Sequence, residues 1–294
     1  MSRLIDVSIH LSHRSISAIF RIEPFVYKTV ILRGRAHAAQ FLDALINDRP
    51  PKFAQSHVKA LYIRPTIPRG LTIQLLATCS GLESLALWIP SQPDSTVLID
   101  LLSPLPLTFL TFGLLSIQPT GYWNFVLQNH PVFVNLTHLD IVNHWTAWTR
   151  THGIEHLPLL THLAFRFQLR RSVNTVLPEI LREIPRLRVL VLLVNSKVIH
   201  RSREYLEKQG IRDMRVVVMK HAGNTAGDQW ESMERDSVTM WQRADMIVGW
   251  RRYNRGWCIV CGRVTTKRFV TAGPFDFPPG FSFGFIDATS ESTP

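Results

Sequence analysis

The chain of 294 residues lacks a long uninterrupted run of apolar residues. Its longest dense apolar run, VLVLLV at residues 189–194, is far shorter than the roughly 18 residues that a membrane-spanning helix needs. The first ten residues, MSRLIDVSIH, contain Asp6 and His10 where a secretion signal requires an apolar stretch. We therefore expect an intracellular protein, cytoplasmic or nuclear, that does not contact a membrane.

Cysteine is scarce, with three in the whole chain. A small secreted domain held together by disulfides uses more cysteines at closer spacing, and an odd number leaves one of them unpaired. Cys258 and Cys261 form a single CxxC pair in WCIVCGR, whereas a structural zinc site draws on four ligands, usually from a second pair. The sequence therefore predicts no metal and no other cofactor.

Signatures of catalysis are sparse as well. The segment GFSFG at residues 280–284 matches GxSxG, the pattern that places a nucleophilic serine on a strand-to-helix turn. Prolines precede this segment, only ten residues follow it, and no histidine lies downstream of Ser282 in the order that such hydrolases require. We expect that the protein is not an enzyme.

Acidic residues are outnumbered, and the net charge of +11 is concentrated near the two ends. Residues 1–70 carry 11 basic and 4 acidic side chains (+7), and residues 243–268 carry 7 and 1 (+6). The second segment interleaves arginines with Trp250, Tyr253 and Trp257, which can contact phosphates and stack on bases. This segment favours an alternative function, nucleic-acid binding. We expect such binding to be weak and non-specific because no finger, helix-turn-helix or RNP pattern accompanies the segment.

A repeated hexad dominates the middle of the chain. Residues 136–141 read LTHLDI, and residues 160–165 read LTHLAF. The template apolar-x-x-apolar-x-apolar also begins at residues 58, 82, 107, 187 and, more weakly, 211, so that successive copies lie 24, 25, 29, 24, 27 and 24 residues apart. Such intervals are typical of leucine-rich repeats, whose units are about 20 to 29 residues long.

The segments between the hexads place apolar residues three or four apart, as helices do. Examples are TIQLLATC, STVLIDLLS, YWNFVLQNH, VNTVLPEILREI and SREYLEKQG. YKTVIL at residues 27–32, followed by AAQFLDALI, adds an earlier copy. Because one strand-and-helix unit cannot bury its own apolar face, the units must stack. The expected fold is an α/β solenoid of the leucine-rich-repeat kind, with parallel strands on its concave face and helices on its convex face.

The chain divides into four parts on this interpretation. Residues 1–24 form an N-terminal cap, and residues 25–220 form a degenerate repeat solenoid. Residues 221–254 form a capping loop and then a helix, in which Trp241, Ile247 and Trp250 cover the open end. Residues 255–294 lack periodicity and are rich in Phe, Pro and Gly, so we expect an irregular, poorly ordered tail.

The hexads and their flanks resemble fungal F-box proteins with leucine-rich repeats over roughly residues 20–254. The segments that carry the resemblance are EPFVYKTVIL, HVKALYI, GLESLALWI, LSPLPLTFL, NHPVFVNLTHLDIV, LPLLTHLAF and RLRVLVLLV. The resemblance implies a substrate receptor of a cullin-type ubiquitin ligase, in which an F-box binds the adaptor and the repeats hold the target. Only about 20 residues precede the matching region, too few for a three-helix F-box, so the resemblance concerns the repeats alone.

The third and fifth residues of each hexad point away from the core of the expected solenoid. Together with nearby strand-end residues they define a predicted binding surface for a protein partner of unknown identity. Exposed aromatic and arginine side chains are the residue types that most often anchor partners. An alternative is that the aromatic members only cover neighbouring strands. The predicted surface comprises Tyr62, Arg64, Trp88, His138, Asp140, His162, Arg166 and Arg215.

Six of the twelve histidines lie between residues 130 and 162, which raises the question of a metal site. His138 and His162 occupy the same position in adjacent predicted strands, so their Cβ atoms should lie about 5 Å apart, with Asp140 on the same face. This geometry permits a site of two histidines and one carboxylate. A surface pattern with a polar third residue explains LTHL more simply, and we predict no metal there.

Overall fold

The computed structural model describes residues 25–87, 96–113, 126–144, 153–167, 176–221 and 239–253. Predictions for the N-terminal cap, for Trp88, for the CxxC pair, for GFSFG and for the C-terminal tail lie outside these residues.

Within the described residues, eight β-strands form one open sheet in which every neighbouring pair is parallel and the strand order equals the chain order. The strands are β1 Thr29–Leu32, β2 Ala60–Ile63, β3 Ser84–Leu87, β4 Phe109–Phe112, β5 His138–His144, β6 His162–Arg166, β7 Val189–Val194 and β8 Val216–Lys220. Each strand from β2 to β7 lies within or just beyond a hexad, and β1 lies in YKTVIL. The prediction of parallel strands at the repeated motif is therefore confirmed.

The hexad pattern explains the register of these strands. The fourth and sixth residues of a hexad, such as Leu61 and Ile63, point to the main core, and the first residue, such as Val58, is buried beside them. Equivalent positions pair directly, so Leu61 lies opposite Leu85 in the next strand. Stacking therefore buries the leucines of successive repeats against each other.

The last hexad is an exception, because β8 begins two residues later than the pattern predicts. Leu190, the fourth residue of its hexad, pairs with Val216, which is the sixth residue of the hexad that begins at Ile211. Met214, predicted to be in the core, is instead exposed. Before β8 the chain makes a turn in which Asp213 accepts hydrogen bonds from the backbone and side chain of Arg215.

Seven α-helices accompany the sheet in the described residues, besides the helical residues 25–28 before β1. They are α1 Arg35–Asn47, α2 Phe53–His57, α3 Arg69–Thr78, α4 Thr96–Leu102, α5 Val176–Glu183, α6 Ile199–Lys208 and α7 Met240–Tyr253. Apolar residues of α1 to α6 pack on one face of the sheet and form the main core with the hexad leucines. The predicted helix in YWNFVLQNH is wrong for its described part, where Leu127–Asn129 is a single 3-10 turn.

The helix predicted near the C-terminus is present as α7, but it does not simply close the end of the sheet. Met240, Ala244 and Val248 are buried against the sheet face opposite α1 to α6, over β6, β7 and β8. Arg251 also donates a 2.6 Å hydrogen bond to the carbonyl of Val216 in the edge strand β8. Helix α7 therefore covers part of one face and contributes to capping the last strand.

Candidate partner-binding face

The sheet face opposite α1 to α6, here called the strand face, is built from rows of residues that the parallel register aligns across the strands. The first row lies at the beginning of the strands, and the second row lies two residues farther along. The first row is Thr29, Ala60, Ser84, Phe109, His138, His162 and Val189. The second row is Ile31, Tyr62, Ala86, Thr111, Asp140, Ala164, Val191 and Val217.

Three rings of the first row form a stacked column. The centroids of the Phe109 and His138 rings are 4.0 Å apart with 17° between the ring planes. The His138 and His162 rings follow at 4.1 Å and 9°. Neighbouring parallel strands lie about 4.8 Å apart, so residues at equal register can stack when their side chains are planar. The repeat therefore produces a continuous aromatic column across β4, β5 and β6.

The threonine of LTHL orients each of the two histidines in this column. The Thr137 hydroxyl lies 2.8 Å from Nδ1 of His138 and 3.1 Å from the carbonyl oxygen of Thr108, the residue before β4. In the next repeat the Thr161 hydroxyl lies 2.8 Å from Nδ1 of His162 and 3.2 Å from the carbonyl of Thr137. The Thr-His pair is thus a repeated structural unit that links strands and aligns the rings.

Helix α7 covers one side of the column. The indole of Trp241 meets both imidazoles edge-on, at 5.2 Å from His138 and 5.7 Å from His162. Asp245, one helical turn farther along, places Oδ2 3.1 Å from Nε2 of His162 and Oδ1 3.7 Å from a guanidinium nitrogen of Arg188. An aromatic contact and a carboxylate therefore connect α7 to the polar part of the strand face.

Apolar side chains also pack between α7 and the sheet. Ala164, Val189, Val191, Leu193 and Val217 form a cluster with the buried side of the helix, separate from the main core. The hydrophobic effect is therefore the main contribution to its docking, since each apolar side chain removed from water contributes about 1.5 to 3 kcal/mol.

Burial keeps the two histidines neutral near pH 7. It lowers the pKa of His138 to about 3, and repulsion from His162 and Arg188 acts in the same direction. Burial also lowers the pKa of His162, an effect greater than the opposing influence of Asp245. With a neutral ring, Nε2–H of His162 donates to Asp245, and Nδ1 lies 2.8 Å from the Thr161 hydroxyl.

Asp140, in the second row, is a buried carboxyl group. Burial raises its pKa to about 6, although the positive charge of Arg166 lowers it. Oδ1 of Asp140 has no hydrogen-bond partner. An ionised carboxylate in such a place costs free energy that a hydrogen bond would otherwise offset.

The structure describes seven of the predicted surface residues and separates them into three groups: buried residues of the strand face, partly exposed residues, and Arg215. Tyr62, Asp140 and His162 lie on the strand face but are only 1%, 2% and 3% exposed, so a partner cannot reach them in this conformation. For Tyr62 this agrees with the alternative in which an aromatic side chain covers neighbouring strands. Arg64, His138 and Arg166 are partly exposed.

Arg215 does not belong to the predicted surface. Its guanidinium donates to the carbonyl of Leu181 at 2.6 Å and to that of Ile184 at 3.1 Å, at the C-terminal end of α5. Burial raises the pKa of Asp213, but the hydrogen bonds and charge of Arg215 outweigh this and lower that pKa overall. Arg215 therefore caps a helix, because β8 begins two residues later than the hexad pattern predicts.

Sequence reasoning missed Phe109, Arg188, Trp241 and Asp245 as members of this face. Phe109 is the third residue of the hexad LTFLTF, so its position in the repeat was a usable signal. It is 37% exposed, more than any other ring in the column. Nothing in the local sequence of α7 indicates that its tryptophan contacts His138 and His162, or that its aspartate contacts His162.

Other chemistry of the described residues is limited. No group of three His, Cys, Asp or Glu side chains within them is placed to hold a metal ion, and His138 and His162 stack rather than converge on a point. Burial raises the pKa of the Cys79 thiol to about 12, which disfavours the reactive thiolate. In the basic C-terminal segment, Arg251 is engaged by carbonyls of Met214 and Val216. The described helices include none with the length and apolarity to cross a bilayer.

Neither known family models nor curated proteins provide a match to this chain.

Proposed function

We propose that this protein is a non-catalytic scaffold for protein–protein interaction, built as a leucine-rich-repeat-like solenoid. Support comes from the sequential order of the strands, because each repeat then pairs with its immediate neighbours alone. Such chains of stacked units are typical of solenoids, which present an extended surface to their partners. The repeats resemble the substrate-recognition repeats of F-box proteins, and the proposal extends to that role: capture of a target protein.

The binding surface in this proposal is the part of the strand face between β2 and β5, beside α7. The observation that carries it is Phe109, an aromatic side chain that is 37% exposed at the centre of the sheet. Around it lie the partly exposed side chains of Ser84 and His138, and Arg64 follows β2 on the same face. Aromatic and arginine side chains are the most frequent hot spots of protein interfaces.

Basic charge indicates the kind of target. The residues directly before and after β1 and β2 are all basic (Lys28, Arg33, Lys59 and Arg64), and the residue before β3 is Glu83. Complementary potentials accelerate encounter and select partners. We therefore expect the captured protein to present an acidic surface.

The test is affinity purification of the full chain followed by mass spectrometry and binding measurements on each protein found. The variant Phe109→Ala with Arg64→Glu should lose the partners, while Ile46→Ala, at an exposed apolar position on α1, should retain them. Circular dichroism spectra should be the same for all three chains. Partners that bind the double variant as tightly as the unaltered chain, or partners that turn out to be nucleic acid alone, would refute the proposal.

A further inference from the structure

The aromatic column on the strand face is incomplete at its β4 end, and we infer that a planar aromatic side chain of a partner protein completes it by stacking on Phe109. The receiving site consists of the free face of the Phe109 ring and the small first-row residues Ala60 and Ser84, here called the stacking shelf. This inference rests on the proposed function, because it specifies the chemistry by which the strand face recognises a protein.

The register places the shelf directly beside the column. Ser84 of β3 pairs with Phe109 of β4, and Ala60 of β2 pairs with Ser84. The ring planes of Phe109 and His138 are 17° from parallel, so one face of Phe109 is directed toward His138 and the other toward β3. The next position of the column is therefore above Ser84, about one strand spacing of 4.8 Å from Phe109.

The shelf carries no ring of its own at that position. Serine and alanine are too short to cover the face of Phe109, which explains why this ring is 37% exposed while His162, at the other end of the column, is 3% exposed. At that other end Trp241 packs edge-on against the imidazoles and α7 covers them. The column thus has one end closed by the chain itself and one end with room for a ring.

A ring is a better occupant than an aliphatic side chain. Aromatic rings gain from offset stacking in addition to the apolar area that they bury, whereas a leucine gains from area alone. The column shows that this part of the face already orders planar groups at 4.0 and 4.1 Å. A tryptophan or tyrosine entering above Ser84 repeats an arrangement that the sheet imposes.

The charges around the shelf indicate acidic residues beside that ring in the partner. Lys59 lies next to Ala60, and its ammonium group is 3.3 Å from Glu83, which lies next to Ser84. Lys28 is exposed directly before β1, and its carbonyl accepts a hydrogen bond from the amide of Lys59. Cations therefore outnumber acids around the shelf, and we infer an aromatic residue flanked by Asp or Glu.

The experiment measures binding of two synthetic peptides to the full chain by isothermal calorimetry or nuclear magnetic resonance. One is acetyl-Glu-Asp-Trp-Asp-Glu-amide, and the other carries Leu in place of Trp. The Trp peptide should bind about 2- to 12-fold more tightly, the range that a stacking pair contributes beyond area. It should also shift the ring resonances of Phe109 and His138. A third peptide with Lys in place of each acid should bind more weakly than the first.

Two variants distinguish ring stacking from non-specific apolar binding. Phe109→Leu should abolish the preference for Trp, and Ser84→Phe, which fills the shelf from within the chain, should abolish binding of the Trp peptide while the protein remains folded. Ile46→Ala should change neither. Equal affinities for the Trp and Leu peptides, or a Trp preference that survives Ser84→Phe, would overturn the inference.

The outcomes also distinguish this inference from the proposed function. Protein partners lost in Phe109→Ala with Arg64→Glu, together with equal binding of the Trp and Leu peptides, would overturn the stacking site and leave the scaffold role. A Trp preference at the shelf in a chain that captures no protein partner would support the site and overturn the scaffold role.

Discussion

Nε2 of His162 lies 3.1 Å from Oδ2 of Asp245, a residue 83 positions later in the chain. This contact connects strand β6 to helix α7 and is accompanied by Trp241, which packs against the same imidazole. Part of the strand face is therefore occupied by the protein itself. The aromatic column is exposed at its Phe109 end and buried at its His162 end.

Helix α7 should be detachable by one substitution on its buried side. Ala244 is fully buried against the sheet, so in Ala244→Arg the guanidinium cannot enter the apolar contact without loss of its hydration. We expect α7 to undock, with a decrease of about 3 kcal/mol in the free energy of unfolding. Hydrogen exchange of amides 240–253 should then be much faster. Met246→Arg, at a position of the same helix that is 41% exposed, is the control and should leave exchange unchanged.

Acid should destabilise the folded protein through His138. Its pKa is about 3 in the fold and 6.5 in the unfolded chain, so between these values the unfolded chain binds more protons. The stabilising contribution of the neutral ring is complete above pH 6.5 and decreases as the pH falls toward 3, by up to about 1.4 kcal/mol per pH unit. His138→Phe retains a ring for the column. In denaturant titrations at several pH values, it should reduce the slope of the free energy of unfolding against pH by the equivalent of about one bound proton. His37→Asn, at an exposed site on α1, is the control. An equally steep decrease in His138→Phe would contradict this prediction.

Asp140 should have the opposite dependence on pH. Because its pKa is about 6 in the fold and 3.8 in the unfolded chain, the folded state binds more protons between these values. Its contribution to stability is therefore lost as the pH rises from 3.8 to 6. The free energy of unfolding of Asp140→Asn, minus that of the unaltered chain, should increase by roughly 3 kcal/mol across this range and then stay constant. Asp100→Asn, exposed on α4, should show no such increase.

Gly81 should not tolerate a side chain. A Cβ atom at this position would lie 1.8 Å from the carbonyl oxygen of Gln55, so the two backbone segments would have to move apart. We expect Gly81→Ala to lower the free energy of unfolding by about 2 to 4 kcal/mol in thermal or chemical denaturation. Gly70→Ala is the matched control, because its Cβ would meet nothing within 4 Å in helix α3. It should stabilise the protein by about 0.5 to 1 kcal/mol, and a loss of stability equal to that of Gly81→Ala would rule out the close approach as the cause.

The hexad pattern predicted the repeated parts of this fold. The hexad predicts that Leu139 and Ile141 are buried and that β5 is parallel to its neighbours, and both predictions are confirmed. The pattern is sufficient because residues two apart in a strand share a face, and a unit with one apolar face must stack on copies of itself. It failed at Arg215, which caps α5 because β8 begins two residues later than the pattern predicts. Whether a side chain caps a helix depends on where the end of that helix lies in three dimensions. The spacing of apolar residues does not predict this.

The sequence by itself therefore determined which residues of each repeat point to the core and which point to the strand face. Tertiary structure decided which of the latter remain accessible. Asp140 and His162 have the sequence environment of surface residues, but they are buried in the fold, and a helix whose tryptophan and aspartate are remote in sequence contacts His162. The physical reason is the distance along the chain over which each property is set. The direction of a side chain follows from alternation within a few residues. Burial, and with it the pKa of a histidine, depends on every segment that packs nearby.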